Sequence, residues 1–377
     1  RRSRPLRPRI ASLALAAIAL AAGCRDPERS AEQRAQPAPA AAPAPIAEAA
    51  PGYVGSSRCE SCHATETGRW HGSDHDRAME EANAATVLGD FAGASLDHFG
   101  VVSRFERRGD RFVVNTEGAD GALRDYEVAY TFGFEPLQQY LVRLPDGRMQ
   151  ALSLAWDTRS RDAGGQRWFD LNGAERVPPG DVLHWTQLSH NWNAQCAECH
   201  STNLRKGYDV ATNRYATTWS EIDVGCEACH GPGSRHVAWA DAAARGERDA
   251  KLANLGLVAR LGARDAAQWV LDDGARIAHR VPPRSDHAEF ETCAPCHARR
   301  ATLREARLPG EPLLATHRPA LLEPGLYEAD GQMRDEVYDY GSFLQSRMHA
   351  VGVTCSDCHD PHSTKLRAEG DAMCGRC

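Results

Sequence analysis

A chain of 377 residues with 42% hydrophobic and 25% charged residues has the composition of a folded protein of two or three domains, yet aromatics are only 7%, so side chains alone would make a thin core. Its 44 basic and 51 acidic residues leave a net charge of −7, which excludes a nucleic-acid-binding function. The single long apolar run, Ile10 to Ala22, is too short to span a bilayer.

The chain opens like an export signal. Arg1, Arg2, Arg4, Arg7 and Arg9 precede the apolar run, and Ala21-Ala22-Gly23-Cys24 then has the small residues of a lipobox, whose cysteine would be acylated. Residues 1–23 are therefore read as a signal peptide and Cys24 as a lipid anchor to a membrane, with ordinary cleavage at an Ala-x-Ala site as the alternative. Residue 1 is Arg, and Cys374-Gly375-Arg376-Cys377 stops one position short of a motif found five times earlier, so both ends are expected to be cut. Residues 24–51 are nearly all Ala, Pro and charged residues, a tether that cannot bury a core. The folded domain is expected over 52–377.

Twelve of the 13 cysteines form six Cys-x-x-Cys pairs: Cys59/Cys62, Cys196/Cys199, Cys226/Cys229, Cys293/Cys296, Cys355/Cys358 and Cys374/Cys377. The first five are followed at once by His63, His200, His230, His297 and His359. Cys-x-x-Cys-His is the attachment signature of haem c. Two thiols at this spacing reach the two vinyl groups on one porphyrin edge, and the next residue aims an imidazole at the iron. Composition alone yields roughly 0.02 such matches, so coincidence is excluded. Zinc needs no histidine after each pair, and exported thiolates do not stay reduced. Porphyrins then supply the core that the aromatics do not. Short loops, Cys196 to Cys226 and Cys355 to Cys374, predict close pairs of the second with the third motif and the fifth with the sixth.

Between His63 and Cys196 there is no attachment site, and the pattern is of period two: Tyr126, Val128, Tyr130 and Phe132 alternate with Asp125, Glu127, Ala129 and Thr131. Gly109-Asp110, Asp120-Gly121 and Asp146-Gly147 mark turns. The expected fold class is mainly α, a haem-packed multihaem cytochrome c fold with a β-meander insert at about 97–158. The insert would bind a partner, line a channel or, most simply, cover the first haem.

Eleven histidines lie outside the motifs, more than the irons need, which favours bis-histidine ligation over the five methionines. Local context selects His75, one helical turn after His71; His236, beyond the tight Gly231-Pro232-Gly233; His349, six residues before Cys355; and His362, after Asp360-Pro361. His184 and His317 complete the candidate ligands, while His98, His279 and His287 read as surface residues.

On Tyr53-Val54-Gly55, Gly72-Ser73-Asp74-His75, Cys226 to His236 and Gly352 to His362, the chain resembles the multihaem cytochrome c-552/c-554 family, and more closely exported bacterial proteins that append a tetratricopeptide tail. The resemblance covers about 52–377. It implies mostly bis-histidine haems in a largely α fold, with His75, His236 and His362 as distal ligands, and electron transfer to redox partner proteins in the periplasm or at the envelope. The motif number and the β insert depart from the tetrahaem carriers. Two other functions remain open: a multihaem oxidoreductase acting on a small nitrogen or sulfur compound at an open haem, and a haem-containing interaction scaffold. No Cys-x-x-Cys pair is followed by the lysine that nitrite reductases of this broad kind often use.

Cys24 is the one cysteine outside every pair. Cys24→Ala is expected to move the protein from the membrane to the soluble fraction with its haem content intact, as fractionation and haem staining would show.

Overall fold

Each of the three turn pairs falls between strands, and Gly109, Gly121 and Gly147 take φ of 68°, 81° and 83° there, a region that glycine enters without steric cost. At Gly147 a side chain would also strike the Tyr215 carbonyl, where the turn packs on a later hairpin. The computed structural model describes residues 50–247, 252–261, 268–334 and 338–375; residues 1–49, read above as a signal peptide and most of a tether with Cys24, and Cys377 lie outside the described residues.

The turns join seven antiparallel strands in chain order: β2 (Ala92–His98), β3 (Val101–Arg108), β4 (Arg111–Glu117), β5 (Leu123–Phe132), β6 (Leu137–Arg143), β7 (Met149–Asp157) and β8 (Arg167–Asp170). A short β1 (Met79–Glu81) pairs with the end of β5, making eight strands. Register shifts between Ala92 and Ala94, Val128 and Tyr130, and Gln139 and Leu141 bend the ladder, as bulges do. The sheet curls into a near-barrel. Its two ends meet where His98 on β2 hydrogen-bonds through Nε2 to the Gly173 carbonyl beyond β8, at 2.8 Å.

Alternation along β7 divides two cores. Leu152, Leu154 and Trp156 face an aromatic cluster of Phe91, Phe105, Phe112, Tyr140, Trp168 and Trp185 inside the near-barrel. Met149 and Ala151 face the other way and pack with Tyr130, Leu141, Trp192 and Ala197, against which Cys196 of the second motif also lies. All nine residues of β7 are buried, because the strand has protein on both faces. The β region thus packs on the second motif.

The expectation of a mainly α fold is overturned: the sheet is the largest regular element and the helices are short. The longest described helix, α5 (Ser234–Ala244), has 11 residues. The others that matter here are α1 (Ser57–Glu60), α2 (Ala64–Trp70), α3 (Trp192–Gln195), α4 (Cys226–His230) and α6 (Ala288–His297). The physical reason is the motif itself. Two cysteines three apart need only one helical turn to share a face, and apolar burial against a porphyrin removes the need for long amphipathic helices. The β insert is also larger than the expected 97–158, running from β2 to β8. Among the described residues no helix is long and apolar enough to cross a membrane.

Trp168 lies at the centre of the aromatic cluster, stacked on Phe105 and edge-on to Phe91, and its Nε1 donates to the Asp90 carbonyl at 3.0 Å. Trp168→Ala is expected to cost about 3–5 kcal/mol in denaturant unfolding. Its ring neighbours all belong to the sheet region, so haem content should not change.

Candidate functional site

The attachment motifs differ in their local structure, the second lying in turns just after α3 (Trp192–Gln195). In the third motif α4 coincides with Cys226–His230 and ends at Gly231, whose φ of 76° stops the helix where a Cβ would meet Val258. In the fifth, a capping box holds the turn Cys355–Cys358, with Asp357 Oδ2 accepting from the Thr354 backbone N–H at 2.8 Å. In the fourth, α6 carries the motif at its C-terminal end with Pro295 inside.

The tertiary structure brings motifs together that the loop lengths do not. Side-chain contacts join Cys59 to Cys226, Cys199 to Cys296, and Cys293 to Cys355. The first motif thus adjoins the third, the second adjoins the fourth, and the fourth adjoins the fifth. The expected neighbours, second and third, do approach: the Gly225 N–H donates to Thr202 Oγ1 at 2.9 Å. Cys374 of the sixth motif is exposed.

The residues between the paired cysteines make these junctions, and sequence reading missed them. Glu227 of the third motif is buried and accepts from the backbone N–H of Val54 at 2.9 Å, Gly55 at 2.7 Å and Gly233 at 2.7 Å, clamping the segment that leads into the first motif. Glu198 of the second accepts from Thr302 Oγ1 at 2.6 Å and pairs with Arg300 at 3.2 Å, just beyond the fourth. Ser356 of the fifth donates from its N–H and hydroxyl to Glu289 at 2.7 and 2.9 Å, four residues ahead of Cys293. The signal was a polar residue inside a motif whose cysteines and histidine are already committed.

Two motif histidines each have a histidine from outside the motifs near them. The rings of His63 and His236 are 6.1 Å apart at 31°, and those of His230 and His362 are 6.4 Å apart at 10°. An imidazole nitrogen binds a first-row metal at about 2.0 Å and its ring centre lies about 1.1 Å behind, so two rings on opposite faces of one iron stand about 6.2 Å apart. The centroid separations of both pairs match that spacing. Burial lowers His200 and His230 to about 4, which keeps these imidazoles neutral, the ligating form. His200 Nδ1 is buried without a partner, and its ring stands edge-on to Phe132 at 4.5 Å. His75 is lowered by burial and then by His297, and it also lies within charge range of His200.

The remaining candidates have other surroundings. His349 pairs with His287 at 5.5 Å and packs on Phe290 and Phe343, so a residue read as surface has a partner. His317 is fully buried with both nitrogens engaged, Nε2 with Glu198 at 2.9 Å and Nδ1 with Thr316 Oγ1 at 2.7 Å. His184 is buried beside Trp185, with Nδ1 on Thr186 Oγ1 at 2.8 Å. His359 is exposed, and its Nδ1 faces the Thr364 carbonyl at 3.3 Å. Among the described residues no group of three or more His, Cys, Asp or Glu side chains is arranged to hold a lone metal ion.

The family described as cytochrome c554 and c-prime matches over residues 58–90 and 181–231, which include the first three motifs. No curated protein matches the chain. The crystal structure of the outer cell wall cytochrome OcwA is similar at 16% identity and a TM-score of 0.53, over 86% of this chain and 67% of that one. The undecahaem cytochrome from the S-layer of Carboxydothermus ferrireducens aligns over 88% of this chain and 44% of its own, at 18% identity and a TM-score of 0.39. Together with the attachment motifs, the family match supports a multihaem c-type cytochrome carrying haem c, and the likeness to OcwA is one of fold.

Beside the first and third motifs, burial raises Asp223 to about 7, with Glu221 adding to the rise, and its Oδ1 has no partner. A carboxyl raised on folding binds more protons folded than unfolded between pH 4 and 7, so it makes stability fall as pH rises through that window. Asp223→Asn is therefore expected to be more stable than the parent at pH 8, by about 1–3 kcal/mol, and to match it near pH 4. Thermal unfolding at the two pH values checks the sign.

Proposed function

We propose that the chain is a conduit for electrons, with haem c at each of its five complete motifs and a continuous path from the first motif through the third and second to the fourth, where the fifth joins. The observation that carries this reading is the contact of cysteines from different motifs, together with the His63–His236 and His230–His362 ring pairs. Haem c supplies a one-electron iron couple. The chain's own residues do the rest: the cysteine pairs would hold the porphyrins, and His63 with His236, and His230 with His362, would ligate two of the irons. A filled axial face leaves no position for a substrate, which favours transfer over turnover. His75 is read as the distal ligand of the fourth motif, and His349 serves the region around the fifth. His317, held on both nitrogens, orients Glu198 instead of binding iron.

The export signal and the lipobox at Cys24 support a place at the cell envelope, with the tether allowing the domain to stand off a membrane by up to roughly 80 Å. The cell-wall location in the name of the similar OcwA structure agrees with that place. A second reading rests on one observation: His75 stands near both His200 and His297 but can serve one iron only. An open iron at the second motif would suit the oxidoreductase alternative.

Intact mass under denaturing conditions is expected to show at least five covalent haems, and the ferric protein a wholly low-spin EPR spectrum with little response of the reduced form to carbon monoxide. His236→Ala and His362→Ala should each convert one haem to high spin. A parent protein with a high-spin haem that binds carbon monoxide or nitrite would favour the second reading, and retention of fewer than four haems would refute the first.

A further inference from the structure

Two of the motif junctions sit in opposite electrostatic surroundings. Arg300 lies between the second and fourth motifs with a side chain only 12% exposed. Its Nη2 donates to Cys199 Sγ at 3.3 Å, its Nε to the Pro295 carbonyl inside the fourth motif at 2.7 Å, and its Nη1 pairs with Glu198 at 3.2 Å. Glu198 has a second cation, Lys206, at 3.9 Å. Arg307, half-buried and without a carboxylate partner among the described residues, acts on Cys296 of the fourth motif and on Cys229 of the third. Glu289 acts on Cys293 with the opposite sign, so the charge in contact with a motif sulfur at this junction is the Arg300 cation.

At the junction of the first and third motifs the balance is reversed. Glu227 is 2% exposed and both of its oxygens accept backbone N–H bonds, the arrangement of a carboxylate. Glu221 accepts from the Ser56 N–H at 2.8 Å and hydroxyl at 3.0 Å, and that hydroxyl accepts from the Cys226 N–H at 2.9 Å. Neither glutamate forms an ion pair among the described residues. Arg205 and Arg307 come within charge range of the Tyr53 hydroxyl but pair with neither.

An iron that gains an electron loses one unit of positive charge, so a nearby cation favours the ferrous form and a nearby carboxylate the ferric form, most strongly where water is excluded. We propose that Arg300 and Glu227 set the direction of electron flow, making the attachment sites at the second and fourth motifs the higher-potential pair and those at the first and third the lower. Electrons entering at the first motif then run downhill to the fourth, each iron passing between ferric and ferrous by one electron. The inference rests on the electron-transfer reading and adds a direction to it. Arg300 acts here as a positioning residue whose charge matters as well as its hydrogen bonds.

The test is a spectropotentiometric titration of the intact haem-loaded protein, with dithionite and ferricyanide, on Arg300→Met, Arg300→Lys, Lys206→Met and Glu227→Gln. Arg300→Met is expected to lower the haems that reduce first, with the reduced-to-oxidised ratio at the parent's upper midpoint falling about tenfold, equivalent to about 59 mV. Arg300→Lys should restore most of that shift, and Lys206→Met should produce a smaller one of the same sign. Glu227→Gln should raise the haems that reduce last. Arg300→Met with full haem content and unmoved upper midpoints overturns the inference, as does an equal shift in Arg300→Lys. Should Arg300→Met lose haem, Lys206→Met and Glu227→Gln decide between the outcomes, and unmoved midpoints in both overturn the inference. The electron-transfer reading fails separately, on the spin state and carbon monoxide response of the parent protein.

Discussion

A motif that gives two cysteines to a porphyrin and the following histidine to its iron keeps only the two residues between the cysteines for contact with the rest of the chain. Those residues hold this structure together. Glu227 reaches back to the backbone of Val54 and Gly55, Glu198 reaches forward to Arg300 and Thr302, and Ser356 reaches to Glu289. Each contact spans many residues of sequence and ends beside another motif, so the same bonds that fold the chain also bring attachment sites into contact. Removing one would cost more than a hydrogen bond, because a buried carboxylate left without donors carries its full desolvation penalty.

The sheet serves the same arrangement from outside. β7 has an aromatic core on one face and the segment of the second motif on the other, so the near-barrel is a wall against which Cys196 and His200 are packed. The bulge between Val128 and Tyr130 matters for this: it sends Val128 into the aromatic core and Tyr130 into the cluster around the second motif. Without that change of face the two cores would not share one sheet. The second motif is accordingly enclosed, whereas Cys62 of the first and Cys374 of the sixth are exposed at the surface.

Glutamates inside motifs then have two consequences at once. They fix which motifs adjoin, and they leave charge beside the sulfurs. Arg300 answers the charge of Glu198, while Glu227 is met only by backbone N–H groups, which carry no net charge. Mechanical clamping and electrostatic bias are thus properties of the same few side chains.

The sequence by itself determined the cofactor chemistry, because five Cys-x-x-Cys-His motifs are local and need no fold to be recognised. It also marked the hairpins, since Gly109, Gly121 and Gly147 are dictated by backbone sterics within a turn. His236 and His362 were legible as ligand candidates from their Gly and Pro surroundings, but not that their rings lie beside those of His63 and His230. Helix content was misjudged because a motif count says nothing about helix length. Which motifs adjoin was decided only by tertiary structure: loop length limits how far two sites can separate, whereas contact depends on long-range bonds such as Glu227 to Val54. His287 shows the same limit, exposed and unremarkable in sequence until the fold sets it against His349.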